Sequence, residues 1–304
     1  MNIALVRDGR VCEAAGMLPQ EDKTGFVLVT VASGARSLHS LEHGETFHPV
    51  VGPMAEAHGL HVEQSRLVER ARECTRPFVI WDVGLGAGAN AVAVLEALSD
   101  ADPGRVELHS FDSTTEPFEF ALRHAGELEY LLPWREPAAR LLQTGRAPAG
   151  GVEWHLHSGD FCEFVRTPRA VEAPDAILYD PYSPEVNPGM WTLEHFTHLR
   201  ACLDETRPCT LTSYSRSTAV RVTLVLAGFF TGRGGAIGEK DQTTVAATHR
   251  ELLAQPLDVE WLGRVERSTR GAPRREGADG GRISPEDLTG LRARFAQRSV
   301  TGDW

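Results

Sequence analysis

The sequence predicts an α/β fold: a doubly wound, mostly parallel sheet preceded by a small β-rich N-terminal element. Three observations carry that expectation. Short apolar or β-branched runs alternate with helix-type segments five times between Phe78 and Gly228. Such alternation implies right-handed crossovers and a sheet covered on both faces. The loop Gly84-Leu85-Gly86-Ala87-Gly88 separates the first of these strands from its helix. Three later strands end in aspartate, at Asp112, Asp160 and Asp180, on the sheet edge where ligands of such folds lie.

In chain order, residues 1–52 read as the N-terminal element, because TGFVLVTVASGARSLHS is rich in β-branched residues and holds a turn. Pro53 to Glu73 has helical spacing at Met54, Leu60, Val62 and Leu67, with Gly59 weakening its centre. From residue 53 to 262 the main domain follows. Its strands are FVIWDV, VELHSFD, VEWHLHSGD, PDAILYD and CTLTSYS, with helices such as NAVAVLEALSD and STAVRVTLVLAG between them. Residues 263–304 form an Arg-rich tail. The Gly- and Arg-rich stretch near RSTRGAPRREGADGGR reads as a flexible loop. Ser284 as a cap and Pro285 in a first turn announce a short terminal helix.

The chain has 304 residues, of which 41% are hydrophobic, enough for one large domain with small additions. Its apolar runs are too short to cross a bilayer. Charges at Arg7, Asp8 and Arg10 spoil a signal peptide, so a cytoplasmic protein with no membrane partner is expected. Five cysteines, an odd number without a C-x-x-C pair, favour buried thiols over disulfides or zinc. The formal net charge of -11 argues against a surface that coats nucleic acid generally. From Arg264 onward, however, nine arginines face six acids. That asymmetry fits either an anionic partner or a solvated tail. Twelve histidines show no H-E-x-x-H spacing, and no metal is expected. His155 and His157 alternate on one strand face. The oligomeric state is not legible.

The glycine loop permits positive φ and close backbone approach to a ligand. The helix that opens near Asn90 aims its N–H groups and positive end at the same place. A tight turn would need glycine even without a ligand. The spacing is G-x-G-x-G, not the G-x-G-x-x-G of dinucleotide sites, which disfavours an NAD-dependent dehydrogenase. Asp112 suits the two hydroxyls of a ribose, and Asp160 suits an adenine amino group. Each of the strand-end acids also suits a helix cap. Over about residues 70–250 this pattern resembles the Rossmann-like class I S-adenosylmethionine-dependent methyltransferases. The resemblance implies S-adenosyl-L-methionine as cofactor. It implies donor binding by Asp82, Gly84, Gly86, Gly88, Asn90, Asp112, Gly159, Asp160 and Asp180.

A longer segment, DAILYDPYSPEVNPGMW, resembles the methyltransferase module of the tRNA-modifying MnmC family, with Asp180, Tyr182, Ser183, Pro184, Asn187, Pro188 and Trp191 carrying the likeness. WDVGLGAGAN, the stretch from Ser40 to Leu67 and the segment LAGFFTGRGGAIGEKDQTTVA are similar to that family as well, so the likeness runs from about Arg36 to Ala246. The resemblance implies methylation of the aminomethyl group of 5-aminomethyl-(2-thio)uridine at the tRNA wobble position, with tRNA as partner. It implies Asp180 as the catalytic residue that orients the amine and takes its proton, beside a pocket of Tyr182, Ser183 and Pro184 that Glu56 is expected to reach. Asn187, Pro188 and Trp191 are expected to fix the loop. In MnmC the module is fused to a flavin-dependent oxidoreductase; the length of this chain and its single glycine fingerprint lead us to expect a stand-alone form. Two departures lie on the acceptor side: Pro181 follows the aspartate where Gly or Ala is common, and GEKDQTT replaces a basic hairpin. A small-molecule or protein amine as acceptor suits the acidic body. A non-catalytic S-adenosylmethionine binder would have no use for an acid at that position.

Overall fold

The structure is a computed structural model that describes residues 5–7, 10–12, 25–99, 101, 104–167, 171–237, 241–277 and 280–300. The remainder of the expected N-terminal element lies outside them, as do Gly238, Glu239 and Lys240 of the expected closing hairpin. The fold class is mixed α/β, as the sequence predicts, with parallel strands in each of two compact units. One unit comprises Met1–Gly159 with Ile237–Asp241; the other comprises Asp160–Ala236 with Gln242–Trp304. Neither division coincides with the expected boundaries at 52/53 and 262/263.

The first unit opens with a small sheet of β1 (Leu5–Arg7), β2 (Arg10–Cys12), β3 (Phe26–Thr30), β4 (Arg36–Ser40) and β5 (Glu45–Thr46), in the order β2-β1-β3-β4-β5. The helix expected from Pro53 to Glu73 is broken into α1 (Pro53–Ala57), a π-helical turn (His58–Glu63) and α2 (Leu67–Glu73). Arg66, at φ 51°, takes the left-handed conformation that ends the regular spiral. Gly59 has a packing reason, since a Cβ there would lie 2.6 Å from the Ile237 side chain.

Next come β6 (Phe78–Val83), α3 (Ala89–Ser99), β7 (Val106–Asp112), α4 (Glu116–Arg123), α5 (Ala125–Leu128), α6 (Arg135–Thr144), β8 (Arg146–Ala149) and β9 (Val152–Ser158). β6, β7 and β9 run parallel with Trp81, His109 and His155 in register. Every residue of β6 is buried, which explains an apolar run without alternation. β8 closes antiparallel on β9. Its sequence, RAPA, carries no strand signal, and Pro148 is tolerated because β8 ends the strand order.

The second unit contains α7 (Phe161–Arg166), β10 (Ala176–Tyr179), α8 (Leu193–Ala201), β11 (Thr210–Ser213), α9 (Thr218–Leu226), β12 (Phe230–Gly234), β13 (Thr243–Ala247), α10 (Val259–Arg267) and α11 (Pro285–Val300). β10 and β11 are parallel, and β13 pairs antiparallel with both β11 and β12. The segment expected to be a flexible tail is built into this unit. α10 runs through the 262/263 boundary, and Leu291 and Phe295 of α11 bury against Val222, Val225, Trp261 and Val265. The loop between these helices is anchored too. Leu193 N–H donates to the Arg274 carbonyl and Arg274 N–H to Thr223 Oγ1, both at 2.8 Å. A Gly- and Arg-rich composition concealed these long-range bonds.

Cys74, Cys162, Cys202 and Cys209 form no disulfide. No helix among the described residues is long and apolar enough to cross a membrane.

Candidate active site

In the first unit the glycine loop turns sharply, with Gly84, Gly86 and Gly88 at φ 94°, 50° and 81°. These are conformations that side-chain-bearing residues rarely adopt. The N–H groups of Gly84 and Leu85 donate to the Phe111 carbonyl at 2.9 and 3.2 Å, tying the loop to the end of β7. Gly86 N–H donates to Asp112 Oδ2 at 2.9 Å. Gly88 accepts the first bond of α3 from Val92 N–H at 2.9 Å. A Cβ on Gly88 would lie 2.5 Å from the Phe118 ring, and one on Gly86 would lie 3.6 Å from Phe47. Tyr130, half-buried, donates its hydroxyl to the Ala87 carbonyl at 3.0 Å. Neither Phe118 nor Tyr130 shows any sequence signal of belonging to the loop.

Asp82 is fully buried and accepts from Ser110 Oγ at 2.8 Å, while Ser110 accepts from Trp154 Nε1 at 2.9 Å. This places Asp82 in a buried network that braces β6, β7 and β9. Asn90 is buried in the first turn of α3. Burial raises the Asp112 pKa above its ordinary value, opposed by backbone N–H donors of Gly86, Thr114 and Ser113. A carboxylate offers about four acceptor positions, so three such donors leave room for a ligand hydroxyl. Gly159 N–H donates to the Asp112 carbonyl at 2.9 Å, and a Cβ on Gly159 would meet nothing within 4 Å. Positive-φ glycines and a helix N-terminus fit the methionine carboxylate of S-adenosylmethionine, and a carboxylate with spare acceptor capacity fits its ribose.

Glu56 is tied to the turn that precedes α1. Its Oε1 accepts from the N–H groups of Val50 and Val51 at 3.0 and 3.1 Å, and His48 Nδ1 lies 3.7 Å from Oε2. The carboxylate, only 2% exposed, is committed to holding the 48–51 turn.

In the second unit, Asp160 caps α7, its Oδ1 accepting from Cys162 N–H at 2.7 Å. The cap alternative is therefore realised, and one carboxylate oxygen serves it. Asp180 stands half-buried just beyond β10. The loop that follows is pinned at several points. Trp191, 3% exposed, donates Nε1–H to the Tyr182 carbonyl at 3.0 Å. The Ser183 carbonyl accepts from Val186 and Asn187 N–H at 3.0 and 2.8 Å. Arg274 donates to the Pro184 carbonyl at 2.9 Å. Tyr179 donates its hydroxyl to the Met190 carbonyl, and Thr192 caps α8. Trp191 thus fixes the loop, and Arg274, far along the chain, is an anchor that sequence spacing could not reveal.

His195 is also buried, 1% exposed, and desolvation with nearby Arg166 lowers its pKa to about 4. Burial and Asp160 push the Cys162 thiol up to about 11, so it is no nucleophile at neutral pH. Glu107, His109 and His155 place donor atoms within 4.8 Å of one another. The His109 and His155 rings, however, stack within 10° of parallel at 4.7 Å. Parallel rings send their in-plane lone pairs side by side and not to a common point. His109 Nδ1 instead pairs with His157 Nε2 at 2.9 Å.

A family profile described as an S-adenosyl-L-methionine-dependent methyltransferase matches residues 133–249. The chain is 31% identical over 206 residues to the tRNA 5-methylaminomethyl-2-thiouridine biosynthesis bifunctional protein MnmC of Burkholderia multivorans, and 32% identical over 216 residues to that of Azoarcus sp.. The alignments take in 64% and 67% of this chain but 30% and 33% of those relatives, so the chain spans about a third of their length. Among solved structures it resembles MnmC2 from Aquifex aeolicus, with a TM-score of 0.67 and 25% identity over 92% of this chain and 87% of that one. A spermidine synthase in complex with the transition-state analogue AdoDATO, with a TM-score of 0.51 and 10% identity over 91% of this chain and 84% of that one, shares the fold alone.

Proposed function

We infer the reaction from the family, for the chain belongs to the S-adenosyl-L-methionine-dependent methyltransferases, and we propose that it methylates the aminomethyl nitrogen of 5-aminomethyl-(2-thio)uridine at the wobble position of tRNA. The observation that carries the acceptor is the Asp180–Trp191 loop, whose residues match the MnmC pattern and whose carbonyls are tied down by Trp191 and Arg274.

The bound donor supplies an electrophilic methyl group on a sulfonium. Gly84, Gly86, Gly88 and the first turn of α3, with Asn90, cradle its methionine end. Asp112 accepts from the ribose hydroxyls. Gly159 gives open space beside the Asp112 backbone, and we assign to the remaining oxygen of Asp160 the adenine amino group. Asp82 serves from beneath, by bracing the strand ends. Asp180 accepts hydrogen bonds from the acceptor amine, orients its lone pair for in-line attack and takes the proton released. Such positioning supplies several kcal/mol of a displacement barrier. Tyr182, Ser183 and Pro184 shape the acceptor pocket. A cytoplasmic location follows from a tRNA acceptor.

The test uses the purified chain with S-adenosylmethionine and tRNA bearing 5-aminomethyl-(2-thio)uridine. Mass spectrometry of the nucleosides should show one added methyl group, and Asp180→Ala should lower kcat by at least about a hundredfold. Donor binding without any methylation of that tRNA would overturn the acceptor. Turnover of Asp180→Ala at the wild-type rate would remove Asp180 from the chemistry. The net charge of -11 favours one second reading, a small-molecule or protein amine as acceptor; methylation of such amines but not of tRNA would establish it.

A further inference from the structure

The second unit holds a cavity of about 390 Å³ that none of the residues assigned above lines. Arg221, Arg233 and Arg264 face it, with Thr218, Gln242 and Ser268, and no acidic residue among the described ones lines it. The three arginines come from α9, β12 and α10, so the convergence is a product of the fold and not of sequence spacing.

Arg221 is only 5% exposed. Its Nε donates to Thr244 Oγ1 at 3.0 Å and one Nη to the Thr243 carbonyl at 2.8 Å. These bonds lock the guanidinium in place and use two of its five N–H donors. Arg233 is half-buried and has no ion-pair partner among the described residues. Among those residues Arg264 has only Glu260, 3.6 Å away with both side chains largely exposed, a pairing of little strength. The first turn of α9, at Thr218, adds N–H groups and a positive end to the same wall. Desolvation, together with Arg233 and Arg264, lowers the Arg221 pKa to about 10, so the arginines repel one another in the absence of an anion. In a chain of net charge -11, a buried guanidinium held among like charges is costly unless a ligand compensates it. Planar forks of N–H donors match the oxygens of a phosphate group.

We propose that this cavity binds a phosphate group, and that in the working protein the group is a phosphodiester of the RNA acceptor. The second half rests on the RNA reading given under the proposed function. One seated phosphodiester would fix where the acceptor lies on an otherwise acidic chain, which general electrostatic attraction could not do.

The test compares the wild-type chain with Arg233→Gln, Arg264→Gln and the double variant. These spare the Arg221 bonds to β13 and hence the fold, which circular dichroism and unchanged S-adenosylmethionine binding would verify. Titration with inorganic phosphate should show binding that the double variant loses. With tRNA, each substitution should weaken affinity roughly tenfold. The plot of log affinity against log salt should become shallower by about one for each phosphate that is no longer neutralised. If the double variant binds phosphate and tRNA as well as wild type, the pocket proposal falls while the RNA acceptor stands. If wild type binds no tRNA but loses phosphate on substitution, the RNA acceptor falls. That second result would leave a site for a free phosphate ester and overturn the phosphodiester assignment.

Discussion

Gly88 shows how one missing side chain couples the loop to the core. It holds φ 81°, and any Cβ would press on ring carbons of Phe118 at 2.5 and 2.9 Å. Gly88→Ala should therefore cost about 1–3 kcal/mol from overpacking, read as a lower Tm, and should weaken donor binding through a shifted helix start. Asp112 makes a pH prediction. Burial raises its folded pKa above the ordinary 3.8. Its contribution to stability is thus fully present below pH 3.8 and is lost as pH rises through the raised value. Ligand binding runs the other way, because a carboxylate accepting from ribose hydroxyls must be ionised. S-adenosylmethionine affinity should fall as pH drops through the raised carboxyl range, and Asp112→Asn should bind weakly at every pH. Calorimetry across pH 4–8 checks both, and an affinity indifferent to pH would remove Asp112 from ribose binding.

Among elements, the Asp180–Trp191 loop is held by hydrogen bonds to its carbonyls. Trp191→Phe keeps an aromatic core but deletes the donor to the Tyr182 carbonyl. The expected cost is about 1 kcal/mol of stability, with a raised acceptor KM and unchanged donor affinity. A matching loss of donor affinity would show that the loop serves both ligands. α8 carries an acid-sensitive group. His195 is buried neutral with a folded pKa of about 4 against an ordinary 6.5. Its contribution is full above pH 6.5 and is lost as pH falls toward 4, about 3 kcal/mol in all. Urea midpoints at pH 7 and pH 4.5 should differ more for wild type than for His195→Leu; equal differences would clear His195 of that role.

At the scale of the whole molecule, the residues after 263 belong to a unit and are not an appendage. Phe295 is 3% exposed and stacks on Trp261 at 6.1 Å. Phe295→Ala should cost about 3–5 kcal/mol, visible in thermal melting. A deletion after Arg264 would remove α11 with Leu291 and Phe295, so weaker tRNA binding in that truncation would report unfolding and not the removal of RNA-binding arginines. Several arginines of this region are already paired, Arg275 with Glu194 and Asp287 and Arg292 with Glu266. Arg221 and Arg233, which have no acidic partner among the described residues, line the cavity of the second unit instead.

Local pattern was enough to determine the alternating α/β order, the glycine turn after FVIWDV and the three aspartates at strand ends, because backbone sterics, strand burial and helix termini act within a few residues. Trp191 as the fixing residue was legible for the same reason, a tryptophan after Asn-Pro having few places but a core. Tertiary structure alone decided the rest. Glu56 accepts from the Val50 and Val51 N–H groups, one oxygen of Asp160 serves a cap, Arg274 donates to the Pro184 carbonyl, and three arginines from separate elements line one cavity. Those outcomes depend on which distant groups the folded chain brings within hydrogen-bond reach, and neither spacing nor composition encodes that distance.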